Sequence, residues 1–146
     1  MSKGDSGLFH GTSGKRFGLT QLRASTRKAV NQLIENTPGS KRKSMAVGAY
    51  DKNTGKIVAA FAGEIPKHIA PELMERASLI GGIGSHGVTE RNTVGVCAEF
   101  HVVNSLLLSG SKWKDIRITP AIRPRTGKEM PFCDNCKIMF HDIIDK

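Results

Sequence analysis

The stretch "VGVCAEFH", residues 94–101, read together with "MPFCDNC", residues 130–136, contains every cysteine of the chain. Cys97 precedes Glu99 by two residues, and Cys133 and Cys136 form a C-x-x-C just after a proline. Three thiols leave one over from any disulfide scheme, so metal binding or thiol chemistry accounts for them better than stapling. Cysteines three apart at a helix start put both sulfurs on one face of the first turn, and Cys97 is predicted to begin a helix of its own. Helix N-termini lower thiol pKa values and so favour the thiolate, the form that binds zinc. Three protein ligands leave one tetrahedral position open, the catalytic pattern of zinc, in which a bound water is acidic near neutral pH. Glu99, in the same first turn as Cys97, is placed to take that water's proton and hand it to a substrate nitrogen. The site would carry net negative charge, which Arg91, Arg123 or Arg125 are candidates to offset. A closed structural site would need a fourth ligand: His101 is compatible by spacing, whereas His141 falls roughly 140° round the helix from Cys136.

Working outward, the sequence alternates elements in a way that favours a three-layer α/β fold. "LTQLRASTRKAVNQLIENTPG" (19–39) has apolar residues at helical spacing and stops at Thr37-Pro38-Gly39. "SMAVGAY" and "IVAAFAG" read as strands joined by the turn "DKNTGK". "HIAPELMERASLIGG" (68–82) is predicted as a short helix, "IGSHGVTERNTVG" as a polar loop, and Cys97 to about Ser109 as a helix stopped by Gly110. "WKDIRITPAI" reads as a strand interrupted at Pro120, "RPRTGKEMPF" as a basic loop, and "CDNCKIMFHDII" as a last helix. Residues 1–18, rich in Gly, Ser and Lys, read as a flexible N-terminal segment or linker, leaving one domain over 19–146. "GIGSHG" (82–87) matches G-x-G-x-x-G by letter, but a helical pattern precedes it and a loop follows, the wrong context for a dinucleotide turn.

The 146 residues carry a formal charge of +9, concentrated in residues 1–43, where nine basic residues face two acidic ones. Such an excess suits a polyanionic partner, nucleic acid or an acidic protein. No apolar run approaches the roughly 18 residues of a transmembrane helix, and "MSKGDSGLFHG" lacks the apolar core of a secretion signal.

With C-A-E, a helix, a strand and P-x-C-x-x-C in that order, the chain resembles the cytidine-deaminase-like superfamily, whose signature is [HC]-x-E followed by P-C-x-x-C. "KIVAAFAG", the polar loop with Asn92, and "GVCAEFHVVNSLLLSG" look most like the YwqJ-like branch of bacterial polymorphic-toxin deaminases, over roughly residues 44–140. The resemblance implies a three-layer fold with a central mixed β-sheet flanked by helices, and a zinc site at two helix N-termini. It implies zinc on Cys97, Cys133 and Cys136, proton transfer by Glu99, and a substrate contact at Asn92. It also implies a toxin domain acting in a target cell's cytoplasm and an acidic immunity protein as partner. Two features depart from the pattern: Phe132 separates Pro131 from Cys133, and only "HDIIDK" follows the last motif.

The basic charge favours a polynucleotide over a free nucleoside, which has no phosphates, and a single strand is easier to attack because flipping a paired base costs a few kcal/mol. Aromatic residues are only 5% of the chain, so base stacking would rest on few side chains; Phe132 and His101, beside the motifs, are candidates. The expectation is a zinc-dependent cytosine deaminase acting on single-stranded DNA. The alternatives are a free cytidine deaminase and a non-catalytic, zinc-stabilised basic module that binds nucleic acid.

Overall fold

The computed structural model describes residues 9–12, 18–41, 45–89 and 92–145. Its elements are β1 (Phe9–Thr12), α1 (Leu19–Glu35), β2 (Ala46–Asp51), β3 (Lys56–Phe61), α2 (Pro71–Ser78), α3 (Ala98–Leu108), β4 (Ile116–Ile118), β5 (Ala121–Ile122), β6 (Glu129–Met130) and α4 (Asp134–Met139). The β2–β3 hairpin follows from its turn chemistry. Asp51 Oδ1 accepts the N–H groups of Asn53 and Thr54 at 2.8 and 3.1 Å, and Gly55 turns the chain at φ +80°.

The sheet runs β1-β3-β2-β5-β6, with β4 also on β2, so β4 and β5 are one line of chain broken at Thr119-Pro120. Proline has no N–H to give a ladder, which accounts for the break. Both faces of β2 and β3 are buried, and alternate residues face opposite ways. Ala46, Tyr50, Ile57, Ala59 and Phe61 pack with Leu22, Ala29, Val30 and Leu33 of α1. Val47, Ala49, Val58 and Ala60 pack with α2, α3 and α4 on the other side. The molecule therefore has three layers, as expected. Gly48 sets the spacing of the α1 layer: a Cβ there would lie 2.5 Å from Thr26 Cγ2 and 2.8 Å from Val30 Cγ2.

Three expectations change. Phe9–Thr12, inside the segment predicted as linker, pair antiparallel with β3 as an edge strand. The basic loop after β5 contains β6 and is a hairpin, Ala121 opposite Met130 and Ile122 opposite Glu129. The sheet is antiparallel rather than mixed: among the described residues every strand pair is antiparallel, and the one parallel contact is a bridge between Ile118 and Ile144. Only a bridge forms because β4 offers three residues before Pro120. Ile118 meets the returning chain by donating its N–H to the Ile143 carbonyl at 2.9 Å and accepting from Asp145 N–H at 2.8 Å. That return also ends α4 at Met139, several residues earlier than its pattern suggests.

Helix α3 is apolar on nearly every side, and residues Ala98 to Asn104 are all buried. A helix of that composition belongs in the interior. Lying directly on the sheet, it carries the first half of the motif pair.

Candidate metal centre

Cys97 is the N-cap of α3 and Cys133 the N-cap of α4, both in extended backbone, and neither sulfur caps its helix. Cys136 is the third residue of α4 and fully buried. The two helix starts meet, and the ligand atoms of Cys97, Cys133 and Cys136 all lie within 4.8 Å of one another. Cys97 Sγ and Cys133 Sγ are 3.9 Å apart, with all three thiols free. Sulfurs bound to one zinc at about 2.3 Å in a tetrahedron are separated by about 3.8 Å, so the spacing fits a shared ion. A disulfide would need about 2.05 Å. These three thiols form a cluster arranged to hold a metal ion.

The thiols share their protons unevenly. The Cys133 thiol is held far below its usual range, chiefly by side-chain hydrogen bonding with Cys136 and then Cys97, aided by the backbone N–H groups of Cys136 and Asn135. Cys97 and Cys136 are correspondingly pushed up by the same Cys133 sulfur.

Glu99, 6% exposed, lies one residue into α3. It shares a small apolar-walled void with Ile118, Phe132, Cys136, Phe140 and Ile144. Burial there pushes its carboxyl up to about 7, with the negative Cys133 adding to the effect; a hydrogen bond from its own backbone N–H and one from the Cys136 thiol work against it. Glu99 and Cys136 thus line one void, yet among the described residues no fourth Cys, His, Asp or Glu joins the three sulfurs as a ligand. His101 is buried one turn along α3, and His141 is exposed beyond α4; neither belongs to the cluster. The candidate fourth ligand of a closed site is absent from the cluster among the described residues.

Phe132 is half-buried, packed against the core and walling the Glu99 void. Asn92 is exposed at the end of the loop that follows α2. Its carbonyl accepts from His86 Nδ1 at 3.2 Å, and its N–H donates to Thr89 Oγ1 at 3.1 Å. Of the cations suggested for charge balance, Arg123 and Arg125 are exposed on the β5–β6 hairpin, and Arg91 lies outside the described residues.

One residue escaped the sequence reading. Asn135, between the two cysteines of α4, is fully buried. Its Oδ1 accepts Val88 N–H at 2.8 Å, and its Nδ2 donates to the His86 carbonyl at 2.9 Å, with Thr89 Oγ1 at 3.4 Å. A Cβ on Gly87 would collide with the same amide. Asn135 thus clamps the His86–Thr89 turn onto the helix start that carries Cys133 and Cys136. The letters "GIGSHG" belong to this clamped loop, with α2 before it and no helix after it, as the context argument requires. The only sequence hint was an amide at the second position of a first helical turn, a place where side-chain hydrogen bonding to nearby backbone is common.

No helix among the described residues is long and apolar enough to cross a membrane. No family model, curated protein or solved structure matches this chain.

Proposed function

We propose that this chain is a zinc-dependent nucleic-acid deaminase that converts cytosine to uracil, with single-stranded DNA as its substrate. One observation carries the reading: three thiols from two helix starts converge on one point, and the buried Glu99 shares a void with Cys136 beside them without joining the ligand set. A structural site needs no such carboxyl group and uses four ligands.

Cys97, Cys133 and Cys136 would hold the ion. When bound, zinc supplies a Lewis acid that makes water nucleophilic near neutral pH. Glu99 takes one proton from the attacking water to the substrate's ring nitrogen, then takes the remaining proton of the added oxygen to the amine, which departs as the carbonyl forms. The balance is cytosine plus water giving uracil plus ammonia. The apolar walls of Ile118, Phe132, Phe140 and Ile144 keep bulk water from Glu99, which preserves its ability to carry a proton in either direction. The Asn135 clamp holds the His86–Thr89 turn beside the ligand helix, where it can meet a substrate. The chain's +9 charge supports a polyanionic substrate rather than a free nucleoside.

The test combines metal analysis with cytosine deamination on single-stranded and duplex DNA, using Glu99→Ala as the blank. Uracil formed only by the unmodified protein, with one zinc per chain, supports the reading, and the strand preference follows from the same assay. Zinc without turnover on DNA, RNA or free cytidine would leave a basic metal-stabilised binding module instead. In the toxin setting that the sequence resemblance implies, the domain acts in a target cell and an acidic immunity protein covers the site. A pull-down from the producing cell that captures no such protein would remove that setting but not the chemistry.

A further inference from the structure

The β5–β6 hairpin is cationic, closed by backbone hydrogen bonds, and runs directly into the segment that carries Cys133. Its tip is closed by Arg123 N–H donating to the Lys128 carbonyl at 2.9 Å and Gly127 N–H donating to the Arg123 carbonyl at 2.7 Å, with Gly127 at φ +73°. Arg123, Arg125 and Lys128 are all exposed there, and among the described residues none has an acidic group within 4 Å. Two acids flank them. Glu129 lies 3.4 Å from Arg27 of α1, and Asp134 is exposed on the first turn of α4.

Position separates this patch from a second exposed cationic pair, Lys112 and Lys114. Met130, at the foot of the hairpin, is three residues from Cys133, a span of at most about 11 Å, and Lys128 is at most about 18 Å away. Lys112 and Lys114 are also exposed, but they follow the C-terminal end of α3. That helix begins at Cys97 and rises about 16 Å over its length. One cationic group therefore stands at the metal end and one at the far end.

We infer that the hairpin tip, Arg123, Arg125 and Lys128, binds the phosphate backbone of a single-stranded nucleic acid and guides it to the metal centre. The inference rests on the proposed deaminase reading for its substrate class. Guanidinium groups suit phosphate because their planar N–H forks match its oxygens. A closed, hydrogen-bonded turn holds them without a large ordering cost on binding.

The experiment measures binding of fluorescent oligothymidine and oligouridine across a salt series. Neither contains cytosine, so binding is read apart from turnover. Two double variants each remove two charges: Arg123→Gln with Arg125→Gln at the hairpin, and Lys112→Gln with Lys114→Gln at the far end. Each single-strand phosphate contact contributes about 0.7 to the slope of log K against log salt, so the hairpin pair should lower the slope by about 1.4 and weaken binding roughly tenfold or more near 0.1 M salt. The far-end pair should leave the slope unchanged, and Arg123→Lys with Arg125→Lys should retain most of the affinity. Equal losses on thymidine and uridine strands assign the contact to the shared backbone, whereas a loss on one alone narrows it to that nucleic acid. The inference fails if the hairpin pair binds like the unmodified protein, if the far-end pair loses as much, or if poly-glutamate shows the same dependence, which would point to an acidic protein. Deamination with hairpin-independent binding overturns this inference alone. Hairpin-dependent binding without deamination upholds it and overturns the enzymatic reading.

Discussion

The two faces of the sheet are built from the same strands yet held in different ways. On the α1 face, Leu22, Ala29, Val30 and Leu33 press apolar side chains onto Ala46, Tyr50, Ile57, Ala59 and Phe61, and the buried polar group of the helix, Thr26, is satisfied by its own Leu22 carbonyl at 2.6 Å. On the opposite face the apolar core is interrupted by Glu99, His101, Asn104 and Asn135, all buried. The two asparagines work across distance. Asn104 accepts Ala70 N–H at 2.9 Å and donates to the His68 carbonyl at 2.8 Å, fixing the approach to α2, while Asn135 fixes the 86–89 turn. Apolar packing is non-directional and supplies stability, whereas a buried amide fixes which loop lies where. The division of labour is that α1 holds the sheet and the other face holds the site.

The sharpest break in this comparison is Glu99→Gln. It should lower deamination by on the order of 10³-fold or more while leaving metal content and thermal midpoint essentially intact. A parallel loss of metal would mean that Glu99 serves the fold of the cluster and not the reaction.

Leu22→Ala, on the α1 face, should cost about 2–5 kcal/mol in denaturant unfolding through the cavity it leaves. Gly48→Ala should cost about 1–3 kcal/mol by driving a methyl into Thr26 and Val30. In both, the folded fraction should bind metal with unchanged stoichiometry. Asn135→Ala should cost about 1–3 kcal/mol, because the Val88 N–H and the His86 carbonyl lose their buried partner. Hydrogen exchange should show the loss locally, at Val88, with α1 amides still protected. Uniform loss of protection would erase the distinction between the faces.

The smallest effect concerns Asp142, whose carboxyl is held below its usual range first by Arg76, at 2.9 Å, and then by Trp113. A folded-state pKa below the unfolded one contributes stability above the unfolded value, near 4, that is lost as pH falls through the folded value. Because the pair is partly exposed, Asp142→Asn should cost only about 0.2–1 kcal/mol at neutral pH, and nothing once both forms are protonated. A difference in thermal midpoint that persists at pH 2 would show that the effect is not ionic.

Much of this arrangement was legible in the chain. The convergence of Cys97, Cys133 and Cys136 shows through because few residue types bind metal and cysteines at the starts of helices are a narrow signal. Helix α1 and the β2–β3 hairpin show through because period and turn residues are local signals. β1 was hidden: four residues among glycines and serines become a strand only by pairing with β3, a partner more than forty residues on. β6 was hidden for the same reason, its two residues being fixed by the edge of β5. Asn135 looked like filler between two ligands because its partners lie 46 to 49 residues back. Whether a strand runs parallel or antiparallel is likewise settled by the return of the chain past α4, which no window of sequence contains.

The sulfurs that meet at the two helix starts come from positions 36 residues apart. An ion shared between them is a covalent-like cross-link that closes a loop of that length. By the chain-entropy argument used for disulfides, such a closure removes about 4 kcal/mol of freedom from the unfolded chain. Unlike a disulfide, it opens without an electron changing hands, since a chelator suffices. If the cluster holds an ion, stripping it should unlock the polypeptide, and a protease should find the metal-free chain an easier target than the loaded one.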